Sequence, residues 1–205
     1  MDGLPLFSMW AQCMPAARLT KAVGLLNSTT NICLTAMEGT PGLSLDEAVK
    51  IAQQAGIAEA DPSDDLDGWD AAVKIAALAT VLMSPDAPVR PEHVAREGIR
   101  EVTSEMVADA KAQGLRYKLV SAAVAPATHP SPGYIAVGDV SIAAPACSVE
   151  LQLLPRGSDF YDLDSSSSAL TLHTDVMAPM TLVQRQPTLD DTAYVGADYS
   201  MHALD

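Results

Sequence analysis

Residues 52–74 read AQQAGIAEADPSDDLDGWDAAVK and place five acids, Glu59, Asp61, Asp64, Asp65 and Asp67, within nine positions. Asp70 follows, and Lys74 lies one helical turn beyond it. Carboxylates gathered beside a lysine can hold an ammonium group and position a proton donor. Ordinary structure can also use them. Acids before a helix accept its orphan N–H groups and suit the positive end of its dipole. An Asp–Lys pair at i, i+4 adds about 0.2–0.5 kcal/mol on a helix surface. Three details resist that plainer explanation. Lys74 stands among Ala71, Ala72, Val73, Ile75, Ala76 and Ala77 and is expected to be partly buried. Gly68 in a first helical turn costs about 1 kcal/mol relative to alanine, so something must need the missing side chain, such as a close backbone approach. The acids in excess of capping repel one another unless a cation, such as a substrate ammonium, sits among them.

The elements that must position these groups are legible from periodicity. The strongest helix runs from Trp69 to Met83, with Ala72, Ile75, Ala76, Ala79 and Leu82 as its buried stripe. Before it, Ser44 and Glu47 form a capping box for a helix that should stop at Gly56. Residues 28–37 start a helix on a hydroxyl cap, residues 18–26 make a short strand, and Pro5 suits the first turn of an N-terminal helix. After the Pro-rich SPDAPVRP, Pro91–Glu97 fits a short helix, and Thr103 caps another that ends at Gly114. The period then changes. Tyr117–Val124, Ser148–Leu154, Ala169–Asp175 and Met180–Gln184 read as strands, DLDSSSSAL as a loop or sheet edge, and 188–203 as a last weak helix. A helix-rich 1–114 followed by a strand-rich 115–205 predicts an α+β fold, a mixed or antiparallel sheet with helices layered on one face.

Composition excludes several functions. The chain has 205 residues, 12 Lys+Arg against 26 Asp+Glu, and a formal charge of −14. No basic cluster is present to neutralise phosphates, which argues against nucleic acid and anionic membrane partners. No apolar run approaches the ~18–20 residues of a membrane span. Cys13, Cys33 and Cys147 show no metal spacing and read as reduced thiols in small apolar niches. Cytosol or an organelle stroma is the expected compartment. No GxGxxG follows a strand and no GxxxxGK[ST] occurs, so no nucleotide-phosphate cradle is recognisable.

The pattern A-x3-G-I-A-x2-D-P-x2-D-L-x-G-x-D-x3-K from Ala52 to Lys74 resembles the signature of homoserine dehydrogenases, with every fixed position present. GLLNSTTN at 24–31 is similar to the family's NGTTN segment, and DGLPLF at 2–7 to its GGxP segment. The resemblance implies NAD(P)H-dependent interconversion of L-aspartate 4-semialdehyde and L-homoserine by a catalytic and dimerisation domain that follows a dinucleotide-binding domain. It implies that Glu59 binds the substrate amino group. Asp65 and Asp70 would hold the amino acid and orient the lysine, and Lys74 would act as general acid to the carbonyl. Ser28 and Thr29 match the pair that touches the substrate.

The departures from the family are expectations too. NADP or NAD would be bound by a domain absent from this chain. The family's second lysine is missing, and its monovalent-cation loop would straddle Met1, leaving Asp2 and Leu4. Ser28 replaces the more usual Gly, and Ile57 stands where Tyr is common. The chain is therefore expected to be a fragment, a truncated gene product or a free-standing domain, inactive alone. The resemblance also implies a homodimer through the strand-rich half. The alternative is a non-catalytic amino-acid-binding or dimerisation module of the same fold. His173 in LTLHTD reads as a structural histidine. His93, His129 and His202 read as solvated, Cys33 as packing, and Ser165–Ser168 as a small-residue loop rather than a phosphate site.

Overall fold

A computed structural model describes residues 5–39, 42–126 and 144–187. The expected helix at 188–203, His129, His202 and the residues around Met1 lie outside these. In chain order the elements are α1 (Leu6–Cys13), β1 (Leu19–Leu25), α2 (Ser28–Met37), α3 (Leu45–Gln54), α4 (Ser63–Leu66), α5 (Trp69–Met83), a 3-10 turn (Pro91–His93), β2 (Ala95–Arg96), α6 (Ser104–Ala112), β3 (Leu115–Val124), β4 (Ala146–Pro155), β5 (Ser168–Thr174) and β6 (Met180–Gln184). The six strands form one sheet in the order β2-β4-β3-β1-β5-β6. All neighbours are antiparallel except β2 and β4, so the sheet is mixed and the fold α+β.

Alternation along the strands separates two faces. Leu119, Ala123, Val149, Ala22, Leu170 and Leu172 point into the main core, which they share with α2, α3, α5 and α6. Leu25, Val120 and Ala169 point the other way and meet Phe160 and Leu163 from the loop after β4 in a smaller cluster. Helix α5 buries Ala71, Ala72, Ile75, Ala76, Leu78, Ala79 and Met83. Its alanines let the helix axis approach the sheet closely, and Ile75, fully buried, contributes roughly 1.5–3 kcal/mol by leaving water. Met83 rather than Leu82 ends the buried stripe, because Leu82 is only half-buried.

Two caps form as the sequence demands, while α2 is capped by the Asn27 side-chain oxygen and not by the expected hydroxyl. Ser44 and Glu47 close a reciprocal capping box on α3, and Thr103 accepts from the Met106 N–H at the start of α6. Gly56 and Gly114 take left-handed backbone after α3 and α6. One expected element fails. Pro91–Glu97 is not one helix. After a single 3-10 turn the chain extends as β2, because the Glu97 N–H bonds the Val149 carbonyl at 2.8 Å and draws the segment onto the sheet. The stretch DLDSSSSAL, expected as a loop or sheet edge, is a loop as far as Ser167, and its last three residues open β5, which lies inside the sheet between β1 and β6.

Candidate functional site

Strand β1 ends against the core, and Asn27 turns the chain into α2. The Asn27 side-chain carbonyl accepts from the Thr30 N–H at 2.7 Å and caps the helix. Its amide nitrogen faces the opposite way and donates to Asp65 Oδ1 at 2.5 Å and to Asp70 Oδ2 at 2.8 Å. The same Asp70 oxygen accepts from Lys74 Nζ at 2.7 Å. Asn27 is 5% exposed, while the Asp70 and Lys74 side chains are 33% and 35% exposed. A buried amide thus anchors two carboxylates whose lysine reaches solvent. Ser28 and Thr29, the first two residues of α2, lie directly beside this anchor, half-buried and buried.

The turn that carries the carboxylates is held from outside the acidic stretch. Gly68 sits between α4 and α5 with φ +75. A Cβ there would meet the Glu97 carbonyl at under 3.0 Å, and one on Gly98 would meet the Leu66 carbonyl equally closely. The two backbones touch where neither residue has a side chain, and the Ile99 N–H bonds the Leu66 carbonyl at 2.8 Å. The close approach expected from Gly68 is thereby identified: the partner is the segment 96–100. Arg100 pairs with the Asp67 carboxylate, and Arg96 donates to the Asp67 carbonyl while its guanidinium lies 3.8 Å over the Trp69 ring. The Arg100 hydrogen bonds hold the Asp67 carboxyl below the usual carboxylate range.

The capping explanation of the acids is corrected accordingly. Helix α5 has no side-chain cap. Asp61 caps the turn at Ser63, Asp67 serves Arg100, and Asp65 and Asp70 share Asn27. The repulsion expected within the cluster is met by groups of the chain itself. Glu59 stands apart. It is exposed, and among the described residues only its backbone carbonyl is engaged, by Gln53. The contacts therefore unite Asp65, Asp70 and Lys74 and leave Glu59 outside the network.

Sequence reasoning missed three parts of this region. Asn27 is one. Arg96 and Arg100 are another, because nothing in spacing links them to a turn some 30 residues earlier. The third is Lys118, at 1% exposure, whose Nζ donates to Asn31 Oδ1 at 2.7 Å and to the Leu163 carbonyl at 2.5 Å. Burial, with Arg116 nearby, lowers the Lys118 ammonium from its ordinary 10.5 to about 8. Asn31 spreads its amide over the carbonyls of Leu163, Ser165 and Ser167. This pins α2 to the loop before β5, so Ser165–Ser167 of the quoted run form a clamped loop, while Ser168 opens β5. Asn27 and Asn31 flank the Ser-Thr-Thr of the segment quoted above. Their i, i+4 spacing, with one amide at each end of a turn, was the available signal.

Cys33 is fully buried beside the site, as its packing role required. Burial and the Asp65 charge push its thiol up to about 12. Cys13 is exposed at the end of α1, not in an apolar niche. His173 lies in β5, where its carbonyl accepts from Thr20. Among the described residues no group of three or more His, Cys, Asp or Glu could hold a metal ion, and no helix is long and apolar enough to cross a membrane.

Residues 5–197 match the homoserine dehydrogenase family. An NAD(+)-dependent homoserine dehydrogenase of Pseudomonas canavaninivorans is 33% identical over 182 residues, covering 89% of this chain and 47% of that protein. A homoserine dehydrogenase of Synechocystis is 43% identical over 121 residues, 59% of this chain and 27% of the relative. The crystal structure of a homoserine dehydrogenase from Thiobacillus denitrificans superposes with a TM-score of 0.78 at 27% identity, covering all of this chain and 44% of that one. The chain thus spans less than half the length of these relatives.

Proposed function

The chain belongs to the homoserine dehydrogenase family, and from that premise we propose that residues 1–205 supply its substrate-binding, catalytic and dimerisation domain. The reaction is the interconversion of L-aspartate 4-semialdehyde and L-homoserine, an oxidoreduction in amino-acid biosynthesis. The observation that carries this reading is the Asn27–Asp65–Asp70–Lys74 network, in which a carboxylate-bound lysine reaches solvent beside the start of α2.

Reduction of an aldehyde leaves negative charge on its oxygen, which needs a proton delivered at that atom. Lys74 Nζ carries the proton, and Asp70 holds the ammonium in place at 2.7 Å. Asp65, Ser28 and Thr29 contact the amino acid, and the exposed Glu59 carboxylate takes its ammonium group. The described residues do not fit a dinucleotide. The strand-to-helix turn at β1–α2 is the nearest thing to a phosphate cradle, yet its cap is filled by the Asn27 side chain and two aspartates face it. We assign NAD or NADP, which supplies the hydride, to a separate domain. A second copy of the chain packs on the strand-rich half, whose outward face exposes Val124 and Val183.

Isothermal titration of L-homoserine into the 205-residue chain tests the site directly. Binding that disappears in Glu59→Ala supports a preformed ammonium site. A folded chain that binds nothing, or a Glu59→Ala variant that binds as well as the parent, removes Glu59 and the preformed site from the reading.

A further inference from the structure

We propose that Asn27 is the positioning residue of this site: its amide nitrogen fixes the Asp65 and Asp70 carboxylates against one another and, through the shared Asp70 oxygen, sets where Lys74 stands. The consequence for substrate rests on the function proposed above; the positioning itself does not.

The geometry leaves the Asn27 side chain one orientation. Its oxygen must accept from the Thr30 N–H at 2.7 Å, which turns the nitrogen toward the carboxylates. A flipped amide would set its oxygen against two anions and its N–H groups against another donor. The nitrogen has two hydrogens, and it meets two carboxylates, at 2.5 and 2.8 Å. Helix capping alone does not demand this residue, because Asp and Ser cap as well as Asn. Only asparagine, of the good caps, also offers two donors on the far side. With Asp at this position, a third carboxylate would face the pair. With Ser, the pair would lose its common donor. Asp65 comes from α4 and Asp70 from the first turn of α5, so the amide ties the start of α2 to both. Lys74 is one turn farther along α5 and bonds the same Asp70 oxygen that Asn27 holds. Asparagine therefore acts as the hinge pin of a chain of contacts running from the buried end of β1 to a lysine at the surface.

The test uses the 205-residue chain and needs no ligand in its first arm. In nuclear magnetic resonance spectra, the two side-chain amide protons of Asn27 should be separately resolved and protected from exchange. One should shift in Asp65→Asn and the other in Asp70→Asn. Asn27→Ser and Asn27→Asp both keep the cap, so the Thr30 amide signal should persist. In both variants the Asp65 and Asp70 carboxyl carbon resonances should move. In the second arm, Asn27→Ser should weaken L-homoserine binding by about tenfold, the loss expected when a charge-assisted hydrogen bond is removed. Freely exchanging Asn27 amide protons that ignore both aspartate substitutions would overturn the inference. So would carboxyl resonances unmoved in Asn27→Ser, or an unchanged affinity in that variant. A parent chain that shows the amide signature but does not bind L-homoserine upholds the positioning and removes the preformed substrate site from the function proposed above.

Discussion

Replacing Gly68 by alanine combines two separable penalties, and the molecule contains a control for each. Gly68 has φ +75, and a Cβ there also meets the Glu97 carbonyl. Left-handed backbone costs a residue with a Cβ about 1–2 kcal/mol. The clash adds about 1–3 kcal/mol, the usual cost of overpacking. It cannot be relieved by a small shift of Glu97. The Glu97 N–H is bonded to the Val149 carbonyl and its carboxylate accepts from the Leu151 N–H, both at 2.8 Å, so moving it pulls on β4. Gly114 has φ +73 and nothing within 4 Å of a Cβ. Gly114→Ala therefore carries the backbone penalty alone, offset by about 0.4–1 kcal/mol of lost unfolded-state entropy. Gly98→Ala carries the clash alone, against Leu66. Urea denaturation of the three variants should rank them Gly114→Ala mildest, Gly98→Ala intermediate and Gly68→Ala worst, the last losing roughly 2–4 kcal/mol net of that offset. Equal losses in Gly68→Ala and Gly114→Ala would refute the argument that two backbones meet at this turn.

Other expectations follow from the polar network. In an enzyme reconstituted from this chain and a dinucleotide-binding domain, Lys74→Ala should cut turnover by about 10²–10⁴ with a modest change in substrate binding; undiminished turnover removes Lys74 from the reaction. Folding lowers the Lys118 pKa from 10.5 to about 8, so the unfolded chain binds the proton more tightly between those values. The Lys118 contribution should therefore rise in favour of folding as pH increases from about 8 to 10.5, by at most about 3 kcal/mol. The buried Cys33 and Cys147 thiols, raised above their ordinary 9.0, act in the opposite sense above about pH 9. The measurement is thus the difference in pH slope between the parent and Lys118→Met, and identical slopes would count against a depressed lysine. Asn31→Ala strips the amide from three loop carbonyls and from Lys118, and should cost roughly 2–4 kcal/mol in thermal or urea unfolding. Sedimentation equilibrium should show a dimer; a strict monomer at high concentration would count against packing through the strand-rich half.

What the chain determined by itself was local. A box of Ser44 and Glu47, a stop at Gly56 or Gly114 and an alanine-rich stripe from Ala71 each depend on neighbours within a turn or two, so spacing alone reveals them. The carboxylates and Lys74 were legible for the same reason: Asp65, Asp70 and Lys74 fall on one turn and one helix. Only the tertiary structure could decide what those groups touch. The Asn27 amide, the Arg96 and Arg100 guanidiniums and the Gly98 backbone reach the acidic turn from 29 to 43 residues away along the sequence. The 3-10 turn that gives way to β2 was unreadable because its backbone is recruited by β4, more than 50 residues later. Lys118 was read as one more position in an alternating strand, yet its ammonium became the buried core of a loop. A hydrogen bond has no sequence period, and which donor finds which acceptor is settled only when the sheet brings distant segments together.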